Sequence, residues 1–175
     1  MKSTRNLTVL TLLTAAMLLT FSSVAQMDKS KRPSPPAQVS KSINGADITI
    51  DYSRPSKRGR EIFGGLEKYG KVWRTGANES SWIEVSKEVE IEGKKLAAGK
   101  YGLFTIPEKS EWTIIFNEKW DGWGAYEYDK DKDVLRVNVP STQTDDMVEV
   151  FTIDIEDSGN VVMAWDQTEV QFSIK

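Results

Sequence analysis

The chain has no cysteine and no histidine. That double absence removes whole mechanisms. Neither a Ser-His-Asp triad nor a thiolate nucleophile can be assembled. Zinc, copper and haem lose their usual ligands, and any metal would have to be a hard cation held by oxygen. Acid or base work falls to Asp, Glu, Lys or Tyr. No cofactor and no metal are therefore expected. A basic excess is also missing, since 23 Lys and Arg face 26 Asp and Glu. A mildly acidic chain is a poor partner for nucleic acid. Convincing amphipathic helical periodicity is absent as well.

Long apolar runs are missing except at the start. Lys2 and Arg5 precede an apolar stretch from Leu7 to Thr20, and Ser23-Val24-Ala25 follows with small residues. This is the pattern of a secretory signal peptide over Met1–Ala25, with cleavage before Gln26. The run is shorter than the ~20 residues that span a bilayer. No second run follows, so no membrane span is expected after signal removal. Without Lys2 and Arg5, the 23 basic residues fall to 21 against 26 acidic ones, a net charge of −5. A domain of this size buries an adequate core without disulfides. Cysteine-free export points to a bacterial envelope more than to a eukaryotic secreted domain.

What is present is period-two alternation. Residues 26–36 are polar and proline-rich, and read as a disordered tether with nothing to pack. The remainder, 37–175, reads as one domain. Ala46, Ile48, Ile50 and Tyr52 alternate with Asp47, Thr49, Asp51 and Ser53. Asn44-Gly45 before them is a hairpin turn signal. Further strands are expected at 38–43, 82–86, 88–92, 100–106, 112–117, 133–139, 148–156, 161–165 and 170–174. The runs at 100–106 and 112–117 are nearly continuous in apolar character, as in strands covered on both faces. Ten candidate strands with Gly- and Asp-rich turns predict an antiparallel β-sandwich of about eight to ten strands. The alternation is broken once, by Arg54–Asn78, a long crossover loop rich in Arg, Lys, Gly and aromatics. Ile62, Leu66 and Tyr69 are placed to share one face of a short helical turn there, which Gly64 and Gly65 weaken.

Three segments carry a resemblance. DYSRPSKRGREIFGGLEKYGKVWRTGAN, LAAGKYGLFTIPEKSEWTIIFN and WGAYEYDKDKDVLRV, in this order, resemble a bacterial family found mainly in Bacteroidetes-type organisms. It is a domain of unknown function, numbered 2911. The resemblance implies an exported domain of a Gram-negative envelope, periplasmic or secreted, and brings no catalytic or ligand residues with it.

Chemistry has a few places to sit. Arg54, Lys57, Arg58, Arg60, Lys71 and Arg74 form a basic cluster in the loop. Guanidinium forks suit carboxylate, phosphate or sulfate. The alternative is that Arg54 and Arg74 pair with Asp51, Glu61 or Glu79 and pin the loop down. Ile62, Phe63, Leu66, Tyr69 and Trp73 favour a packed loop. Trp73-Arg74-Thr75-Gly76-Ala77-Asn78-Glu79 is its sharpest run, with polar Thr75, Asn78 and Glu79 and a Gly76 that permits close approach; the competing reading makes Trp73 a core plug beside an Asn-capped turn. Trp120, Trp123, Tyr126 and Tyr128 form a second aromatic cluster, which Trp82 can join. Such rings either stack on sugars or cover an open end of the sandwich. Asp129, Asp131 and Asp133 carry calcium-loop spacing without its glycine or closing glutamate, so a solvated hairpin tip is the better reading. Glu61, Glu79, Asp121 and Glu127 permit a glycosidase-like pair. Ser80 or Ser81 with Lys71 permits a serine nucleophile.

The expectation is a non-catalytic envelope module that binds an anionic ligand, a glycan or a protein partner. Its candidate contact residues are Arg54, Arg60, Tyr69, Trp73, Arg74, Asn78, Glu79, Trp120, Trp123 and Tyr126. The alternatives are a carboxylate-based hydrolase of a glycan-like polymer and a purely structural protein.

Overall fold

The computed structural model describes residues 28–175. The expected signal peptide and its cleavage point lie outside these residues. β1 (Pro36–Ile43) and β2 (Ala46–Ser53) form a hairpin across Asn44-Gly45, with φ of 51° and 77°. Two positive φ angles give the turn the twist that adjacent strands need. β3 (Trp82–Val85), β6 (Gly99–Ile106), β7 (Glu111–Asn117), β8 (Asp133–Ile155) and β9 (Asn160–Ser173) extend the sheet. Its order is β1-β2-β3-β6-β7-β8-β9, antiparallel throughout. β4 (Val89–Ile91) and β5 (Lys94–Leu96) form a small second sheet.

The antiparallel all-β expectation is met. One sheet supplies both layers by curling. β8 pairs with β7 up to Pro140 and with β9 from Ser141 onward. The loop after β2 meets the far half of β8, where Ser56 bridges Val150 and Phe151 N–H donates to the Pro55 carbonyl. β4 bridges the chain at Ile174 beyond β9. The expected strands at 133–139 and 148–156 are therefore one strand, as are those at 161–165 and 170–174. Polar residues interrupt the apolar signal in both, but the hydrogen-bond ladder continues through register shifts.

Between the layers lie Ile48, Ile50, Ile83, Leu103, Ile114, Phe151, Ile153 and Trp165, all buried. Tyr52 ties the layers together, exchanging hydrogen bonds with the Ile153 carbonyl and N–H. β6 and β7 are covered on both faces, as their apolar runs predict. Leu103 points to the core, and Phe104 packs edge-on against Tyr128.

The loop after β2 is packed. Trp73 continues the ladder on β6, exchanging backbone hydrogen bonds with Thr105. Its ring stacks on Trp165 and meets Phe63, Trp112 and Phe151 edge-on. The expected helical turn does not form. Ile62 is buried while Leu66 is 43% exposed, so the two share no face. Gly64, at φ 91°, turns the chain out of helical geometry.

Residues 28–35 are held, although their sequence offers nothing apolar to bury. Arg32 pairs with Glu79, the Ser34 carbonyl accepts from Asn78, and the Pro35 carbonyl accepts from Arg54 N–H. Charge and backbone carbonyls supply the anchoring that a hydrophobicity reading cannot see.

Candidate functional site

The end of the long loop and the aromatic segment after β7 are far apart in sequence but adjacent in space. Ser80 N–H donates to the Gly122 carbonyl and Gly124 N–H donates to the Asn78 carbonyl. Glu79 and Trp123 pair between them as an antiparallel bridge. Ser80 Oγ locks the register by donating to the Gly124 carbonyl at 2.6 Å. This short ladder lies against the outer face of the sheet. Gly102 of β6 makes the close approach possible, because a Cβ there would strike the Lys119 carbonyl.

Strand register puts Gln38, Asp51, Trp82 and Gly102 in one row across that outer face. The 120–122 segment stands beside the row, and the two enclose a cleft of about 190 Å³. Asp51, Trp82, Glu79, Trp120, Asp121 and Lys29 line it. Lys100 sits 3.3 Å from the Trp82 ring centroid and 4.1 Å from that of Trp120. A cation shared by two rings fixes their spacing. Both tryptophans also line the cleft.

The two inner carboxylates differ. Partial burial opposes charge on Glu79, but Arg32, its own backbone N–H and Lys29 outweigh it and hold the carboxyl down at about 2. Arg32 Nη1 donates to both oxygens at 3.0 and 2.8 Å, and Lys29 lies 3.0 Å away. Burial pushes Asp51 above the ordinary carboxylate range, with Gln38, Lys100 and Lys29 pulling back and the charge on Glu79 adding to the rise. One cleft thus holds a carboxylate fixed as an anion and a carboxyl that takes a proton more readily.

The Glu79 pairs carry a pH signature. Its folded pKa of about 2 lies below the ordinary 4.5. Their stabilisation is complete above the ordinary value and fades as pH falls from about 4.5 to about 2. Asp51 works in the opposite sense: its contribution is present at low pH and is lost as pH rises through its raised pKa. Arg32→Ala is expected to move the Glu79 midpoint toward its ordinary value. Carboxyl-carbon NMR titration measures this, and an unmoved midpoint would show that Arg32 does not set the charge.

The candidate contact residues divide. Glu79 and Trp120 line the cleft. Trp123 is 51% exposed and Tyr126 is 86% exposed, both on the same segment. Asn78 is spent on the Ser34 carbonyl and Ser53 Oγ. Arg54 donates to the Phe151 carbonyl and Thr152 Oγ1, and so pins the loop to β8 rather than pairing with an acid. Arg60 clasps the carbonyls of Lys57 and Ser56. Trp73 is core. Tyr69 lines a separate surface hollow with Glu61 and Asp166. Arg74 packs against Gly124, where a Cβ would lie 2.8 Å from Nη1. The basic cluster does not converge on one opening, because most of its guanidiniums are consumed in shaping the loop.

Other permitted chemistries are also placed. Asp121 and Glu127 share Lys119. Ser80 and Ser81 donate their hydroxyls to the carbonyls of Gly124 and Thr75, which leaves neither organised as a nucleophile. Asp133 accepts from Asn117, Tyr128 and Arg136, and Asp129 caps the short turn at Lys130–Lys132. Burial and the Asp133 charge push Tyr128 up to about 12. Among the described residues, no group of three or more acidic side chains is arranged to hold a metal ion. Asp51 and Lys29 line the cleft and Lys100 spaces its two tryptophans, and candidate selection by loop motif passes over all three. Alternation marks Asp51 as outward-facing, but only the β2–β3 register puts it beside Trp82.

A family model described as "Protein of unknown function (DUF2911)" matches residues 34–174. No curated protein matches the chain. No solved structure matches it either.

Proposed function

The chain belongs to the DUF2911 family, and from that premise we propose a non-catalytic binding module whose cleft takes a polyhydroxylated, sugar-like ligand. One observation carries the reading: Trp82 and Trp120, spaced by Lys100, share a cleft with Asp51 and the fixed Glu79 carboxylate. Sugar C–H groups are slightly electropositive and meet the negative face of an indole, while carboxylates accept from hydroxyls. The cleft is below the ~300–1,000 Å³ of pockets that enclose whole drug-sized ligands. It suits one ring of a ligand that continues beyond it. The signal-peptide pattern and the lack of cysteine support a place in the bacterial envelope, periplasmic or secreted.

The reading is tested by titrating the mature protein with a panel of oligosaccharides while following tryptophan fluorescence. Trp120→Ala is expected to weaken binding at least about tenfold, as removal of an aromatic anchor does. Unchanged affinity in the variant, or silence across the panel, would overturn it.

A second reading, a carboxylate-based glycan hydrolase, is favoured by the opposed protonation tendencies of Asp51 and Glu79. Pairs of that kind divide into acid and base. Asp51 would be the proton donor and Glu79 the anionic partner. Against this, Arg32 and Lys29 neutralise Glu79. Any glycan turnover by wild type that disappears in folded Asp51→Asn would establish the hydrolase. Equal turnover in both would remove it.

A further inference from the structure

The residues lining the cleft carry three carboxylates and one ammonium. Two of the carboxylates are matched. Glu79 is paired with Arg32 and Lys29, and Asp121 with Lys119 at 2.8 Å. Asp51 has no ion pair among the described residues. Its side chain accepts there from Gln38 Nε2 alone, at 3.5 Å, longer than a good N–H···O bond. The residue is half-buried on β2, opposite Trp82 of β3. Lys100 and Lys29 act on its charge from beyond ion-pair distance, and burial still raises its carboxyl. A half-buried carboxylate without a cation is unfavourable, and a cation brought by a ligand relieves it.

The tryptophans indicate the kind of cation. Indole faces attract ammonium groups. Trp82 and Trp120 already do so with Lys100, 3.3 and 4.1 Å from the two ring centroids. Lys29 brings another ammonium to the cleft wall, 3.0 Å from Glu79, on a side chain that is 56% exposed. Asp51 lines the cleft together with both rings, so a ligand seated there meets its carboxylate. We propose that the cleft selects an amino sugar, with the ligand ammonium on Asp51 and the sugar ring against Trp82 and Trp120. This rests on the sugar-binding reading above and narrows its ligand class to glycans that carry free amines. A hydroxyl in place of the amine gives Asp51 a neutral donor, roughly half as strong as a charged one. The selected charge is opposite to that of the anion suggested by the basic loop, because no Arg or Lys of that loop lines the cleft. Lys29 is the cation that a bound amine must tolerate, and it tempers the affinity.

The test compares glucosaminyl-β1,4-glucosamine with cellobiose, which carries hydroxyls where the first carries amines, at about pH 6, where the amines are protonated. The Trp82 and Trp120 indole N–H signals report the cleft, and the Asp51 carboxyl-carbon signal reports the amine. The amino disaccharide is expected to bind at least about tenfold tighter than cellobiose, the scale of a charge-assisted hydrogen bond, and to move the Asp51 signal saturably. Asp51→Asn is expected to bring the two affinities together. Lys29→Met, at an exposed position, serves if that variant does not fold. It is expected to strengthen the amino disaccharide about two- to fivefold, the scale of a partly exposed charge pair, and to leave cellobiose unchanged. Nα-acetyl-lysine amide, an ammonium without a sugar ring, is expected to bind at least about tenfold more weakly than the amino disaccharide. Parity between those two would overturn the assignment to a sugar. Equal affinities for the two disaccharides, or a preference that survives Asp51→Asn or is unmoved by Lys29→Met, overturn this inference and leave the cleft reading standing. Indole signals that stay still with both disaccharides overturn both.

Discussion

Trp73→Ala is expected to lower the unfolding free energy by about 3–5 kcal/mol, the cost of emptying a large aromatic site. The ring is buried and contacts Phe63, Trp112, Phe151 and Trp165. Its indole N–H donates to the Gly76 carbonyl, which the change would leave without that donor. Total stabilities are only about 5–15 kcal/mol, so the loss is a large part of the whole. Trp123→Ala, on the exposed segment, is expected to stay within about 0.5 kcal/mol of wild type. Urea melts of the two variants measure the contrast. Equal losses would mean that the loop is not seated in the core as described.

Gly102→Ala is expected to cost about 1–3 kcal/mol through overpacking and to disable the cleft at the same time. The new methyl would strike the Lys119 carbonyl and lie 2.7 Å from the Phe104 ring. Backbone cannot swing aside as a long side chain can, so the segment carrying Trp120 must lift. Lys100 would then lose one of its two rings. The expected readouts are a lower melting temperature and displaced Trp82 and Trp120 indole signals, with loss of any oligosaccharide affinity. Wild-type indole positions in this variant would refute the seating of the segment on β6.

Much of the framework was legible in residue order. The alternation from Ala46 to Ser53 is β2, and Asn44-Gly45 is its hairpin turn. The unbroken apolar runs around Leu103 and Ile114 correctly mark strands covered on both sides. β8 was not legible as one strand. Thr144, Asp145 and Asp146 interrupt its apolar pattern, while the ladder that joins its halves is made of backbone. Legibility of the site was poorer for a related reason. Arginine in a loop looks alike whether it faces solvent or a neighbouring carbonyl. Arg54 and Arg60 satisfy backbone oxygens, and only the tertiary arrangement shows it. Glu79 stands out in its motif, but its partners Lys29 and Arg32 come from the segment judged unable to pack. Asp51 needed the pairing of β2 with β3 across an excursion of 28 residues, Arg54 to Ser81, whose length hides which residues sit opposite.

β8, 23 residues long, belongs to both layers of the molecule. Neither layer can peel away while that strand keeps its partners, so breathing motions are confined to its surroundings. The candidate is the exposed Tyr126 end of the Trp120–Tyr128 segment, beyond the bonds that fix Gly122 and Gly124 to Ser80 and Asn78. A ligand gripping that segment therefore meets a yielding lip on an undivided body, and the entropy it removes on docking comes from the lip alone.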